Sequence, residues 1–110
     1  MSVIDQQHAL SLLGGHEVIY KKILQKFIDT CDSGSYSFSA DEVNGDFETV
    51  ARKIHSVKGV SQNVGAMALY DTSVELDALA KDENKSGIIA MISGYDETLS
   101  EALNEIKTLV

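Results

Sequence analysis

The chain has 110 residues and a formal net charge of −8, with 9 Lys and Arg against 17 Asp and Glu. This length predicts one domain over residues 1–110 and excludes a self-sufficient kinase, because an ATP-binding module would not fit beside it. The excess of acid argues against a protein that binds duplex nucleic acid, since such binding depends on Lys and Arg that neutralise phosphates.

Apolar spacing and helix-ending residues predict two helices in the first part of the chain. A short helix over 5–13 ends at the Gly14–Gly15 pair, because glycine tolerates left-handed backbone. A second helix over 16–31 carries apolar residues at a period near 3.6. The polar segments 31–44 and 81–87 are predicted to be surface loops.

Three further helices are predicted after the first loop. Two of them, over 47–64 and 66–80, are joined around Gly65, and Asp46 is the expected N-cap of the first. The last helix repeats apolar residues at intervals of three and four over 88–110 and has Ser86 as its expected cap. Four long amphipathic helices with short links predict an all-α protein, an antiparallel up-down-up-down four-helix bundle with a short extra N-terminal helix.

The helix over 47–64 separates into two faces when its residues are placed at about 100° each. His55 lies opposite the core stripe, so its imidazole is predicted to face solvent. Lys58, Gly59 and Gln62 follow His55 by three, four and seven residues and can therefore contact it. The core stripe consists of Phe47, Val50, Ile54, Val57, Ser61 and Val64.

The residue types around His55 suit reversible phosphoryl transfer. A neutral imidazole nitrogen is a nucleophile near pH 7, and an ammonium group one turn away can hold a phosphoryl group carried on the ring. Glycine inside a helix costs about 1 kcal/mol relative to Ala. Close approach of a large partner would explain that cost at Gly59. Gln62 adds a neutral hydrogen-bond donor on the same side.

The same face offers candidate contacts for a docking partner. Ala51 lies near its rim and offers apolar surface, and Arg52 lies beside it. Arg52, Lys53 and Lys58 all fall close to His55, so a protein that is acidic overall is locally basic here. Such a face suits a phosphoryl group and an acidic pocket on a partner.

The sequence around His55 resembles the signature of histidine-containing phosphotransfer (HPt) domains of bacterial multistep phosphorelays. The resemblance rests on His55-Ser56-Val57-Lys58-Gly59, followed by Asn63-Val64-Gly65-Ala66 and Leu69. Further similarity extends to about residue 80, through Ala9-Leu10-Ser11-Leu12-Leu13-Gly14-Gly15, Tyr20, Leu24, Phe27, Glu75-Leu76 and Leu79. The last helix agrees in length and pattern only. His16 departs from similar sequences, which often have an acidic residue after the Gly-Gly pair.

The resemblance implies a role for each matching residue. His55 would carry the phosphoryl group, Lys58 would help to neutralise it, and Gln62 would support it. Gly59 would leave room for the incoming domain. Gly65 would permit the turn or the tight packing into the next helix.

The resemblance also implies partners, namely response regulator receiver domains or a hybrid sensor histidine kinase. The chain would be a phosphoryl carrier rather than an enzyme, passing the group between aspartyl-phosphate receivers. It would need no cofactor and no metal, because the divalent ion would belong to the receiver. We expect a monomer that binds neither nucleic acid nor membrane.

Several features favour a cytoplasmic protein. The single Cys31 rules out an internal disulfide and a multi-Cys zinc site, and its place on an apolar stripe predicts a buried structural thiol. Residues 1–10 show no basic residue followed by an apolar run, as a signal peptide would. No segment approaches the roughly 20 apolar residues that span a bilayer.

The sequence has three alternative interpretations. The N-terminal phosphotransfer domain of a chemotaxis-type histidine kinase shares the H-x-x-K-G pattern and would receive phosphate from an ATP-bound kinase domain. The dimerisation helix of a sensor kinase also exposes a histidine, but it typically places an acidic residue next and a Pro soon after. Here Ser56 follows His55, and the chain has no Pro. A non-catalytic helical adaptor would use this face only as surface.

Overall fold

The computed structural model describes residues 4–110, which form six helices. Their bounds are α1 Gln6–Leu12, α2 Glu17–Asp32, α3 Ala40–Gly45, α4 Phe47–Val64, α5 Met67–Lys81 and α6 Lys85–Leu109. None of the described residues lies in a strand, although Ile4 and Ala66 form an isolated antiparallel bridge. The predicted all-α helical bundle is confirmed. Residues 1–3, part of the segment without a signal-peptide pattern, lie outside the described residues.

Helix α4 packs against α1, α2, α3 and α5. Its apolar stripe is buried as predicted, with Phe47 half-buried at the start of the helix. Burial of each Val or Ile side chain contributes about 1.5–3 kcal/mol, so the stripe sets the rotation of α4 about its own axis. That rotation places His55 on the solvent side. The buried positions are Val50, Ile54, Val57, Ser61 and Val64.

Side-chain caps determine where two of the long helices begin. Asp46 accepts a hydrogen bond from the Thr49 backbone N–H at the start of α4, as predicted. At the start of α6 the cap is Asn84, which accepts from the Gly87 backbone N–H. The prediction of Ser86 as this cap is wrong, because Ser86 already lies in the first turn, where its hydroxyl hydrogen-bonds the Asn84 side chain.

The segment between α2 and α4 is more structured than predicted. It contains the short helix α3, and its Tyr36, Phe38 and Val43 are buried in the core. The Tyr95 hydroxyl of α6 donates a hydrogen bond of 2.7 Å to the Tyr36 carbonyl, and the Phe38 ring stacks on Tyr95. A plain surface loop is therefore the wrong interpretation of 31–44, because its few apolar residues close one part of the core.

Cys31 is half-buried and packs against the core from α2. Burial raises the pKa of its thiol to about 12, with a further contribution from Asp32. The thiol is therefore protonated near neutral pH, and a protonated thiol is a poor nucleophile. This agrees with the structural role predicted for Cys31.

Gly65 forms the corner between α4 and α5 with a φ of +85°. Its carbonyl accepts a hydrogen bond of 2.7 Å from the Asp5 backbone N–H. A Cβ atom at this position would collide with the Asp5 backbone carbonyl. The corner therefore needs glycine for two reasons, its left-handed conformation and the close approach of the N-terminal segment.

We expect Gly65→Ala to lower the free energy of unfolding by about 2–4 kcal/mol, which combines left-handed strain with the displaced contact. Urea denaturation monitored by circular dichroism measures this change. Gly94→Ala is the matched control, because a Cβ there meets no atom within 4 Å and its φ is not positive. We expect Gly94→Ala to raise the free energy of unfolding by up to about 1 kcal/mol. Equal stability of Gly65→Ala and wild type would contradict the close packing at this corner.

Candidate functional site

His55 lies midway along α4, and 77% of its side chain is exposed. Its neighbours Ile54 and Val57 are fully buried, so α4 cannot rotate to cover the ring. The Nδ1 atom lies 3.9 Å from Oδ1 of Asp77 on α5, a distance longer than a hydrogen bond. Because Nδ1 is the nitrogen that approaches the protein, Nε2 is the nitrogen available to a partner.

Asp77 is a buried carboxylate that two ammonium groups share. Lys58 Nζ and Lys81 Nζ lie 3.0 and 3.2 Å from its Oδ2 atom, while the Asp77 side chain is only 7% exposed. Burial alone would raise the pKa of Asp77. Hydrogen bonds from Lys58 and Lys81, together with their charges, outweigh burial and hold the pKa of Asp77 below its ordinary value. The carboxylate beside His55 is therefore ionised and neutralised from both helices.

The basic residues predicted around His55 are rearranged in the structure. Lys53 Nζ donates to the Ser37 carbonyl at 2.8 Å and contacts Glu42 at 3.3 Å, so it ties α4 to the α3 region. The expectation that Lys53 contributes to the basic face of His55 is wrong. Lys81 of α5 supplies the second ammonium group instead, since it shares Asp77 with Lys58.

The candidate docking residues Ala51, Arg52 and Gly59 differ in their surroundings. Arg52 is exposed and donates to Thr49 Oγ1 at 3.2 Å along its own helix. Ala51 is half-buried against the core and offers only part of its methyl group to a partner. Gly59 is exposed, and a Cβ there would meet no atom within 4 Å. Packing within the chain therefore does not explain glycine at position 59.

Gln62 is half-buried and lies about two turns beyond His55 on α4. Within residues 4–110, its side chain makes no hydrogen bond to His55 or to Lys58. Its predicted place beside a phosphoryl group follows from helix geometry and stays a prediction.

Asp77 and Lys81 were not predicted from the sequence. Placing the residues of one helix at about 100° each does not show which residues of a second helix meet that face. A signal was nevertheless present in α5. Asp77 lies among the apolar positions Leu69, Leu76 and Ala80 of that helix, all of which are buried. A carboxylate in such a stripe requires a cationic partner. The identity of the partner depends on which face of α4 meets α5.

The described residues show neither a metal site nor a membrane span. Nowhere in 4–110 do three or more His, Cys, Asp or Glu side chains form a group that could hold a metal ion. No helix of that part of the chain is long and apolar enough to cross a bilayer. A polar cleft of about 470 Å³, lined in part by Lys53, Asp96 and Ser100, lies away from His55. His55 does not line this cleft, and with 77% of its side chain exposed it lies on the open surface.

The fold and the site define a class of protein, a small all-α domain that exposes a histidine beside a carboxylate with two bound ammonium groups. Residues 22–108 match the family model of the Hpt domain. The match covers most of the chain, and the chain belongs to the Hpt domain family. Hpt domains are phosphoryl carriers that work with receiver domains and kinases in two-component signalling. No curated protein and no solved structure matches the chain.

Proposed function

We propose that this Hpt domain carries a phosphoryl group on His55 between receiver domains of a multistep phosphorelay. The observation that supports the proposal most is the ring of His55, 77% exposed and held over a buried carboxylate with two ammonium groups. An exposed ring on a rigid helix can reach phosphorus on a second protein. The charged groups beneath it match the charges that develop during transfer.

In the proposed reaction Nε2 of neutral His55 attacks the phosphorus of a receiver aspartyl phosphate in line. The new N–P bond forms as the P–O bond to the aspartate breaks, and the receiver carboxylate leaves with the electron pair. The proton stays on Nδ1, so the ring becomes positively charged. The Asp77 carboxylate, 3.9 Å from Nδ1, offsets this charge. The Lys58 ammonium, bound to Asp77 at 3.0 Å, is proposed to turn toward the phosphoryl oxygens. The divalent ion belongs to the receiver in this scheme.

The charge of α4 supports docking of an acidic receiver pocket. The helix has a formal charge of +2, from Arg52, Lys53 and Lys58 against Glu48. Arg52 and Lys58 are the two that serve the His55 face, because Lys53 is paired with Glu42. Each of the other five helices is neutral or negative when Asp, Glu, Lys and Arg are counted in the same way. Complementary charge accelerates encounter and orients partners. We propose a monomeric, cytoplasmic carrier whose partners are receiver domains, free or part of a hybrid sensor kinase.

Transfer from receivers is the direct test of this proposal. We expect the protein to take up radiolabelled phosphate when it is mixed with a panel of phosphorylated receiver domains. The product should be acid-labile and alkali-stable, as a phosphorus–nitrogen bond requires. Labelling only by an ATP-bound kinase domain would favour the chemotaxis-type alternative. Absence of labelling from every receiver and kinase domain would favour the helical adaptor.

A further inference from the structure

We infer that Asp77 is a positioning residue that holds the Lys58 ammonium beside unphosphorylated His55 and releases it to the phosphoryl group when His55 is phosphorylated. The inference rests on the proposed function and concerns regulation of the same site. Three groups converge on this one carboxylate. Lys58 and Lys81 approach Oδ2, and the His55 ring approaches Oδ1.

The two ammonium groups make a release possible without leaving a buried charge unpaired. A buried carboxylate that is left without a cationic partner strongly destabilises the folded protein. Asp77 keeps Lys81 at 3.2 Å when Lys58 departs, because Lys81 follows it by one turn on α5. Lys58 comes from α4, three residues after His55, and its side chain is 30% exposed. Its ammonium group can therefore move toward the ring, because the lysine side chain is flexible.

The incoming group is the stronger acceptor for Lys58. A phosphoryl group carries a charge of roughly −1.5 to −2 near neutral pH and has three acceptor oxygens. Asp77 carries one negative charge, already shared between two ammonium groups. After the exchange, the carboxylate can accept a hydrogen bond from Nδ1–H of the charged ring, which would shorten the present separation of 3.9 Å.

The exchange has a consequence for the energy of the phosphorylated state. Lys58 gains a contact with the phosphoryl group but gives up its contact with Asp77. The two changes offset each other in part. Lys58 therefore stabilises phosphohistidine less than a lysine with no carboxylate to leave would. A carrier that both accepts and donates phosphate needs such a balance, because a very stable phosphorylated state would not pass the group on.

Lysine side-chain NMR of the wild-type protein tests the exchange directly. His55 is first phosphorylated with phosphoramidate: Nε2 attacks phosphorus, the P–N bond of the reagent breaks, and ammonia leaves after protonation. Correlation spectra of the ammonium nitrogens through their Hε protons are recorded near pH 8 before and after. We expect the Lys58 Nζ resonance to move on phosphorylation. The Lys53 resonance should stay, because Lys53, although it is also on α4, is held by the Ser37 carbonyl and by Glu42 of α3.

Variants of Asp77 supply a second readout. We expect Asp77→Asn to slow phosphorylation by phosphoramidate about tenfold, because the Nδ1–H of the charged ring loses its carboxylate acceptor. Tenfold is about the size of one charge-assisted hydrogen bond. Asp77→Glu should restore part of the rate. In Asp77→Asn the Lys58 resonance should already differ from wild type before phosphorylation. If Asp77 had only a structural role, Asp77→Asn would change the free energy of unfolding and leave the phosphorylation rate unchanged.

The outcomes separate this inference from the proposed function. If His55 takes up phosphate and the Lys58 resonance does not move, the exchange is wrong and the carrier function stands. If His55 accepts phosphate neither from phosphoramidate nor from any receiver, both proposals fail. Movement of Lys53 together with Lys58 would indicate a general rearrangement of α4 and would also overturn the exchange.

Discussion

His55→Gln is expected to abolish phosphate uptake from every receiver while leaving the fold intact. Glutamine has no nitrogen lone pair that can attack phosphorus, whereas its length and polarity suit an exposed helix position. Because 77% of the His55 side chain is in solvent, we expect the free energy of unfolding to change by less than about 0.5 kcal/mol. Acid-labile, alkali-stable phosphate measures the loss, and an unchanged helical circular dichroism spectrum excludes unfolding.

The other two histidines provide matched controls for this experiment. His8 lies in α1, and His16 lies exposed at the start of α2, where its side chain makes no cap hydrogen bond. His8→Gln and His16→Gln should both retain full labelling. Retained labelling in His55→Gln would overturn the assignment of the phosphorylated residue, and the two controls would then show whether another histidine carries the group.

Gly59→Leu should separate docking from the chemistry at His55. A side chain at position 59 points into open space one turn from the ring, where a receiver would have to approach. We expect transfer from a phosphorylated receiver to fall about a hundredfold, as a displacement of about 1 Å between reacting groups produces. Labelling by phosphoramidate should stay near the wild-type rate, because so small a donor needs little room.

The same substitution should stabilise the domain. Leucine replaces glycine inside a helix at a position where a Cβ atom meets nothing within 4 Å, which favours folding by roughly 0.8–1 kcal/mol. Gly94→Leu in α6 is the matched control, because Gly94 is also exposed and its Cβ would also meet nothing within 4 Å. Both variants should unfold at higher urea concentration, and only Gly59→Leu should lose transfer. Normal transfer to Gly59→Leu would mean that the receiver docks elsewhere.

These expectations describe a site that gives up stability for access. A glycine in the middle of α4 costs about 1 kcal/mol, and packing within the chain does not call for it. The buried Asp77 adds a desolvation cost, which its two ammonium partners offset. Neither feature is expected of a helix whose only task is to complete the core. Both are expected where a partner must approach and charge must be exchanged.

Much of the fold and part of the site followed from the sequence, because the relevant physics is local. The 3.6-residue period of α4 places Ile54 and Val57 inward and His55 outward, and it depends only on the geometry of one helix. The cap at Asp46 and the end of α1 at the Gly14–Gly15 pair likewise depend on neighbours a few residues away. The Hpt family match agrees with the motif around His55.

The tertiary structure alone decided which groups surround the ring. Lys53 and Lys58 both lie on α4, yet Lys53 turns to Glu42 and Lys58 turns to Asp77, because α3 and α5 pack on different sides of α4. Burial of Tyr36 and Phe38 in a polar segment was decided in the same way, by contact with Tyr95 of a distant helix. Periodicity and capping show which face of a helix is apolar. Which charged groups meet across two helices depends on how their faces are packed together, and no local pattern contains that information.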